Sequence, residues 1–322
     1  MGALVEELLE AGHQVQWFVA PIDLESTHVA RLARLGALVV PLPPPPKVYL
    51  RAASLRRLAD RALHSSNDLG ALVNAFEPDH IFINQGGTWS GLMPQFLPIL
   101  RAFPGRFSLI CHLNLPGSPM SGVSLEHARW LAANAARMFF NSRWTRELAE
   151  LQITRPIRSA AYFQYPVRFS FESPLPWPQS SAAKIAMVNR LDASHKGIDL
   201  AIESLARLNN EGHRAQLLVV GRGPDEEYLR DLVAWRRLDE LVTFQDYTED
   251  LTALWAEQEM LLLPSRYEGL AVSMLEAMGF GRPVLRTPYG GCEEWIEDGV
   301  NGFVCPAAEV DLLVATLKRA LA

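Results

Sequence analysis

Two carboxylates with seven residues between them, Glu268 and Glu276, lie in the stretch Ser265-Arg266-Tyr267-Glu268-Gly269-Leu270-Ala271-Val272-Ser273-Met274-Leu275-Glu276-Ala277-Met278-Gly279. Leu261-Leu262-Leu263-Pro264 reads as the end of a buried strand, and Leu270 to Met278 as a short helix stopped by Gly279. Glu268 then sits in the turn and Glu276 about two turns into the helix, roughly 10 Å away. A retaining glycosidase holds its paired carboxylates about 5 Å apart. This spacing suits instead two hydroxyl-bearing ends of one extended ligand. Between the acids, the backbone N–H groups of Gly269, Leu270, Ala271 and Val272 open the helix, and a helix start attracts phosphate through unpaired donors and its dipole. A ligand that runs sugar, diphosphate, ribose satisfies all three features. The plainer alternative is two solvated acids on a surface turn, since Glu is mostly exposed.

Cations occur where such a ligand needs them. Val188-Asn189-Arg190-Leu191-Asp192 and then Lys196-Gly197 follow an apolar strand at Ile185 to Val188. A diphosphate leaving group gains negative charge as its bond breaks, so fixed cations stabilise the transition state more than the ground state. Arg190 offers a planar fork and Lys196 a movable point charge; Asp192 is an alternative partner for Arg190. Gly221-x-Gly223 follows Leu217 to Val220 and precedes a helix from Asp225 to Trp235, with Pro224 in its first turn. The dinucleotide fingerprint needs a third glycine at position 226, which is Glu226, so a nicotinamide enzyme is disfavoured. No Asp-x-Asp pair and no His/Cys cluster has metal-ligand spacing. No metal or cofactor is expected, and Arg190, Lys196 and the helix start carry the diphosphate charge.

Tyr267-Glu268-Gly269-Leu270 with Glu276 resembles the E-x7-E signature of family 4 retaining glycosyltransferases, which have the two-domain GT-B fold. Val188 to Asp192 with Lys196-Gly197, Val219-Val220-Gly221-Arg222-Gly223-Pro224, Val242-Thr243-Phe244 and Gly290-Gly291-Cys292-Glu293-Glu294 agree with that family in order and spacing. The resemblance implies that Glu268 holds sugar hydroxyls, Glu276 the ribose, Arg190 and Lys196 the diphosphate, and the turn at Tyr247-Thr248 the base. Asp246 stands where the family more often has glycine. His112, after Ser108-Leu109-Ile110-Cys111, resembles the family histidine that approaches the transferred sugar; the alternative is a strand-end histidine satisfied by neighbouring backbone.

The elements that must position these residues alternate along the whole chain. At 322 residues, 49% hydrophobic and 20% charged, two medium cores are expected. A net charge of -6 argues against broad nucleic-acid binding. Three cysteines without paired spacing fit a reducing cytoplasm. No apolar run approaches the roughly 20 residues that span a bilayer, and no signal peptide precedes the first helix. Helices are expected at Ala3 to Ala11, Ser54 to Leu63, Leu69 to Phe76, His127 to Ala136 and Trp144 to Leu151; strands at Gln14 to Ala20, Ala37 to Pro41, His80 to Asn84, Phe107 to His112 and Met138 to Phe140. Pro43 to Pro46 reads as an extended surface connector, with a recognition segment as the alternative. The division is 1–165 for an acceptor-side Rossmann-like domain, 166–182 for a Pro-rich linker and 183–322 for a nucleotide-sugar-binding Rossmann-like domain, with parallel sheets facing across a cleft.

The N-terminal half says less. Asn84-Gln85-Gly86-Gly87-Thr88-Trp89-Ser90 reads as a polar loop on the ligand face, which makes Asn84, Gly86 and Gly87 acceptor-side candidates together with Gly2. Arg51, Arg56, Arg57 and Arg61 give one helix a basic side, as on a membrane surface or a solvated face. Against the family pattern, the leading strand with its glycine turn and the final crossover helix are missing, so the N-terminal domain is expected to be incomplete. The reading is a retaining, metal-independent glycosyltransferase moving a sugar from a nucleoside diphosphate to a hydroxyl of a glycan, lipid or small molecule. It is expected to be cytoplasmic, with at most peripheral contact with the inner membrane. Alternatives are a truncated, non-catalytic nucleotide-sugar binder, an epimerase or phosphorylase on the same fold, and a plain scaffold.

Overall fold

The computed structural model describes residues 2–19, 26–42, 69–117, 119–165 and 174–322. The proline run at 43–46, the expected helix at 54–63 with its arginines, and the first part of the expected linker, 166–173, lie outside the described residues. The chain forms two compact units: Met1–Cys111, Pro119–Phe139 and Glu150–Ala161 in the first, and His112–Ser118, Phe140–Ala149 and Tyr162–Ala322 in the second.

Through the first half, helix and strand alternate as α1 (Gly2–Glu10), β1 (Gln16–Val19), α2 (Thr27–Arg34), β2 (Leu38–Pro41), α3 (69–76), β3 (His80–Gly87), α4 (Leu97–Ala102), β4 (Arg106–Leu113), α5 (Gly122–Asn134), β5 (Arg137–Phe140), α6 (Arg143–Ile153) and β6 (Ala160–Tyr162). β1 and β2 pair in parallel, Trp17 opposite Val39, over a small core of Val5, Leu32 and Ala37. Strands β3 to β6 form a second sheet in sequence order. Two expectations need correction here. Asn84 to Gly87 are not loop but the last four residues of β3. Their polarity hid an alternation: Gln85 points inward, where its amide donates to the Thr88 carbonyl at 2.6 Å and accepts from Gly91 N–H at 2.8 Å. Helix α5 starts five residues before His127, because its first residues, 122–124, are exposed and carry no apolar stripe.

The second half continues with β7 (Ala183–Val188), α7 (Ala193–Lys196), α8 (Ile198–Asn210), β8 (Ala215–Val220), α9 (Glu226–Trp235), β9 (Val242–Gln245), α10 (Leu251–Glu257), β10 (Met260–Leu263), α11 (Val272–Gly279), β11 (Val284–Arg286), β12 (Gly302–Val304) and α12 (Val310–Ala320). Its six strands form one parallel sheet in the order β12-β11-β10-β7-β8-β9. Both faces are covered, and the side chains divide with a period of two. Ile185, Met187, Leu217, Val219 and Leu262 pack with Ile202, Leu205, Leu229 and Leu317 on one face. Ala186, Val220, Leu261 and Leu263 pack with Trp255, Met274 and Leu275 on the other. The segment 174–182 is irregular, and Arg282 fixes it by donating to the carbonyls of Leu175 and Pro176 at 3.2 and 2.7 Å. Pro224 lies outside α9, ahead of its cap Asp225, so it is not a first-turn proline.

Leu262 is 2% exposed in the central strand β10, whereas Val300 is 72% exposed. Leu262→Ala is expected to lower the unfolding free energy by about 2–5 kcal/mol, measured by denaturant titration. Val300→Ala should stay within about 0.5 kcal/mol of wild type.

Candidate functional site

The turns at the carboxyl ends of β7 and β10 carry the first group of residues. Asp192 caps α7, accepting from His195 N–H at 3.1 Å and the Ser194 hydroxyl at 2.8 Å. The Ser194 hydrogen bond is the main reason its carboxyl lies below the usual range. Arg190 adds only the smallest of the attractions on this carboxyl, so helix capping outweighs the alternative role of Asp192 as ion partner of Arg190. At the end of the helix, Lys196 Nζ donates to Glu268 Oε2 at 2.6 Å. Glu268 is 7% exposed and also accepts from the Ser265 hydroxyl at 3.2 Å and from Gly269 N–H at 3.2 Å. Arg266 binds the two turns from outside: it pairs bidentately with Asp199 at 2.7 and 2.8 Å and donates to the Ala193 carbonyl at 2.7 Å.

Helix α11 begins at Val272 rather than Leu270, because Leu270 and Ala271 are buried at 5% and 8% exposure and Ala271 is extended. Glu276 is therefore the fifth helical residue, little more than one turn in, and not two turns as expected. The Gly269 N–H is engaged by Glu268 and the Met274 N–H donates to the Ala271 carbonyl at 3.1 Å, while Val272 and Ser273, the first two residues of α11, have no intrahelical acceptor for their N–H groups. Glu276 is half-buried, and burial pushes its carboxyl above the usual range.

A cavity of about 1020 Å³ brings these groups together. Nine residues singled out from the sequence line it: Arg190, Lys196, Gly221, Tyr247, Thr248, Glu268, Ala271, Val272 and Glu276. A Cβ at Gly221 would overlap the Asn189 carbonyl oxygen, so the close turn requires glycine there. Gly269 and Leu270 do not line the cavity; Leu270 belongs to the apolar core, and a Cβ at Gly269 would overlap the carbonyl oxygen of His112.

His112 thus abuts the Glu268 turn without lining the cavity. Its Nδ1 lies 2.6 Å from the Tyr165 hydroxyl, and the two rings stack at 5.6 Å. Asn141 donates to the His112 carbonyl at 2.6 Å and accepts from the Thr145 hydroxyl at 2.9 Å. Burial lowers the His112 imidazole to about 4 and raises Tyr165 to about 12, so both rings are neutral near pH 7. The acceptor-side candidates belong to the first unit, where Gly2 opens α1 and Asn84, Gly86 and Gly87 end β3.

Three features escaped the sequence. Arg222 and Asp246 form a bidentate ion pair that ties the glycine turn after β8 to the turn carrying Tyr247, and Asp246 also accepts from Tyr247 N–H at 2.7 Å. Tyr165 gave only the signal of an aromatic before Pro166. His195 lies in the gap between the Val188–Asp192 and Lys196-Gly197 segments, and its ring stacks on Tyr267 at 4.2 Å and an interplanar angle of 7°.

The parallel α/β units and their likeness to solved structures define the class as the GT-B fold: the structure of HepE from Anabaena in complex with UDP aligns with a TM-score of 0.67 over 98% of this chain and 84% of that chain, at 18% identity. Residues 182–322 match the family described as glycosyl transferases group 1. An alpha-D-kanosaminyltransferase of Streptomyces kanamyceticus is 32% identical over 131 residues, 40% of this chain and 34% of that protein. The amylovoran biosynthesis glycosyltransferase AmsK of Erwinia amylovora is 26% identical over 265 residues, 76% of this chain and 61% of that one. The chain therefore spans about a third of the first relative and less than two thirds of the second. Among the described residues no helix is long and apolar enough to cross a membrane.

The Lys196–Glu268 pair leaves a buried charge when one partner is removed. Lys196→Met is expected to cost about 3–5 kcal/mol in denaturant unfolding, and adding Glu268→Gln should recover part of it. Glu276 has the opposite sign: its raised folded value makes ionisation cost stability above that value, with no cost below the unfolded 4.5. Glu276→Gln should accordingly raise the melting temperature at about pH 8 and leave it unchanged at about pH 3.

Proposed function

We propose that the cavity of the second unit binds a nucleoside diphosphate sugar, and that the protein is a retaining, metal-independent glycosyltransferase that moves a hexose to an acceptor hydroxyl of a glycan, lipid or small molecule. The observation that carries this reading is the lining of one cavity by Arg190, Lys196, Glu268, Glu276 and the start of α11. The family match over the same residues and the likeness to a structure with bound UDP support it. A uridine diphosphate sugar is accordingly the first donor to test.

In this reading Arg190 and Lys196 take the diphosphate, with the first-turn N–H groups of α11. Glu276 binds ribose hydroxyls, and Tyr247, Thr248 and the Arg222–Asp246 clasp bound the base. Glu268 orients the sugar through its hydroxyls, and neutral His112 approaches that sugar from the other side of the Glu268 turn. The bond from the anomeric carbon to the phosphate oxygen breaks while the acceptor oxygen bonds to the same face of that carbon. The acceptor proton passes to the departing phosphate oxygen, so no covalent enzyme intermediate is required. The fixed cations act most strongly as charge gathers on that oxygen, which is why they accelerate the step rather than only hold the donor. Chain length relative to the relatives makes the acceptor side part of the proposal, with Gly2, Asn84, Gly86 and Gly87 as its candidates.

Uridine, guanosine and adenosine diphosphates should be compared in a thermal-shift series. One of them is expected to raise the melting temperature by several degrees, and Arg190→Ala, an exposed position, should abolish the shift without changing the unliganded melting point. No shift with any of the three would refute the donor site. Donor binding without turnover on any acceptor would turn the reading toward a non-catalytic binder, and conversion of the donor sugar that does not depend on an acceptor hydroxyl toward an epimerase or phosphorylase.

A further inference from the structure

Lys196 faces two demands. Its ammonium already compensates Glu268, and a diphosphate in the cavity is a second anion for the same cation. A carboxylate that is 7% exposed becomes costly when its counter-charge is shared, unless another positive group stands beside it. His195 stands there. Its Nε2 is 3.8 Å from Glu268 Oε1, the oxygen that Lys196 does not hold. That nitrogen is buried and makes no hydrogen bond among the described residues. The ring is held in place by its stack on Tyr267, and its backbone by the Asp192 cap on one side and by Arg266 N–H donating to its carbonyl at 2.9 Å on the other.

We infer that His195 is a positioning residue for Glu268: it takes up a proton when a diphosphate engages Lys196, holds the carboxylate in place, and so links donor binding to proton uptake. The inference rests on the reading of the cavity as a diphosphate site. The groups facing the ring set the sign. Burial and then the Lys196 charge hold the imidazole below 6.5, against Glu268, Asp192 and a hydrogen bond with the Tyr267 backbone. Drawing Lys196 toward a ligand anion weakens the repulsion, and the anion itself adds attraction, so both changes favour the imidazolium in the complex. A basic group whose affinity for protons rises on binding makes binding tighter as pH falls through the window between its free and bound values.

The test is calorimetry of UDP binding in buffers of different ionisation enthalpy, from about pH 8 to about pH 6, for wild type and His195→Phe. Phenylalanine keeps the stack on Tyr267 and removes the proton, and comparison with it cancels the titration of UDP itself. Wild type is expected to take up an additional fraction of a proton and to gain roughly three- to tenfold more affinity than the variant over that range. Equal proton uptake in both proteins overturns the inference and leaves the donor site standing. Absence of binding by UDP, GDP and ADP to wild type overturns both. Should the variant fail to fold, NMR titration of the His195 ring in wild type decides: its midpoint must rise when UDP is added, and an unchanged midpoint sinks the proposal.

Discussion

The contact on which the second unit's cavity depends is the ion pair between Lys196 and Glu268, 72 residues apart in sequence and 2.6 Å apart in space. Both side chains are largely withdrawn from water, with 16% and 9% of their surface exposed. A pair in that position gains little net energy over an apolar pair, but it discriminates strongly against any geometry in which one partner is left alone. Ser265 and Gly269 each donate a further hydrogen bond to the carboxylate, and Arg266 ties the turn after β10 to α7 and α8. The two turns therefore form one wall rather than two independent loops.

Sheet topology explains why these turns meet. From β7 the chain runs outward to β8 and β9, then returns to β10 on the other side of β7 and continues to β11 and β12. The strand order reverses between β7 and β10, which are hydrogen-bonded neighbours with Leu261 opposite Ala186. In open parallel sheets the helices leave on opposite faces at such a point, and a crevice opens at the carboxyl ends of the strands. Arg190 and Lys196 follow β7, Glu268 follows β10, and the clasp of Arg222 and Asp246 follows β8 and β9. The turns that follow neighbouring strand ends thus assemble the cavity together.

How much of this was legible follows from the range of the interactions. The apolar runs of β7, β8 and β10 announced themselves because a parallel sheet buried on both faces leaves no polar alternation. The start of α11 lies two residues later than expected because Leu270 and Ala271 look helical by composition but are buried in the core beside Met274, with Ala271 extended at the cap. Strands β6, β11 and β12, with three residues each, carry too little pattern to be read locally. The cavity lining was legible as a set of residue types. The partners of those residues were not: the Arg222–Asp246 clasp, the Tyr165–His112 hydrogen bond and the His195–Tyr267 stack span 24 to 72 positions, and nothing in local sequence encodes them.

The distribution of charge at helix starts argues for an anion at one of them in particular. In the second unit α8, α9 and α12 each carry an acidic residue in the first turn, which neutralises the positive end of the helix dipole from within. Asp250 caps α10 through Ala253 N–H. Helix α11 has neither device: its cap position is Ala271, with no side-chain hydrogen bond, and its first turn holds no acid. That start lines the cavity with Ala271 and Val272, and Arg190 and Lys196 line the same cavity. A helix whose dipole is left uncompensated on the side of two cations forms a concentrated positive field, and Glu268 and Glu276 flank it without occupying the helix start. A dianionic group held there would complement the helix start and Arg190 directly and share Lys196 with Glu268, whereas a neutral ligand of the same size complements neither the helix start nor Arg190.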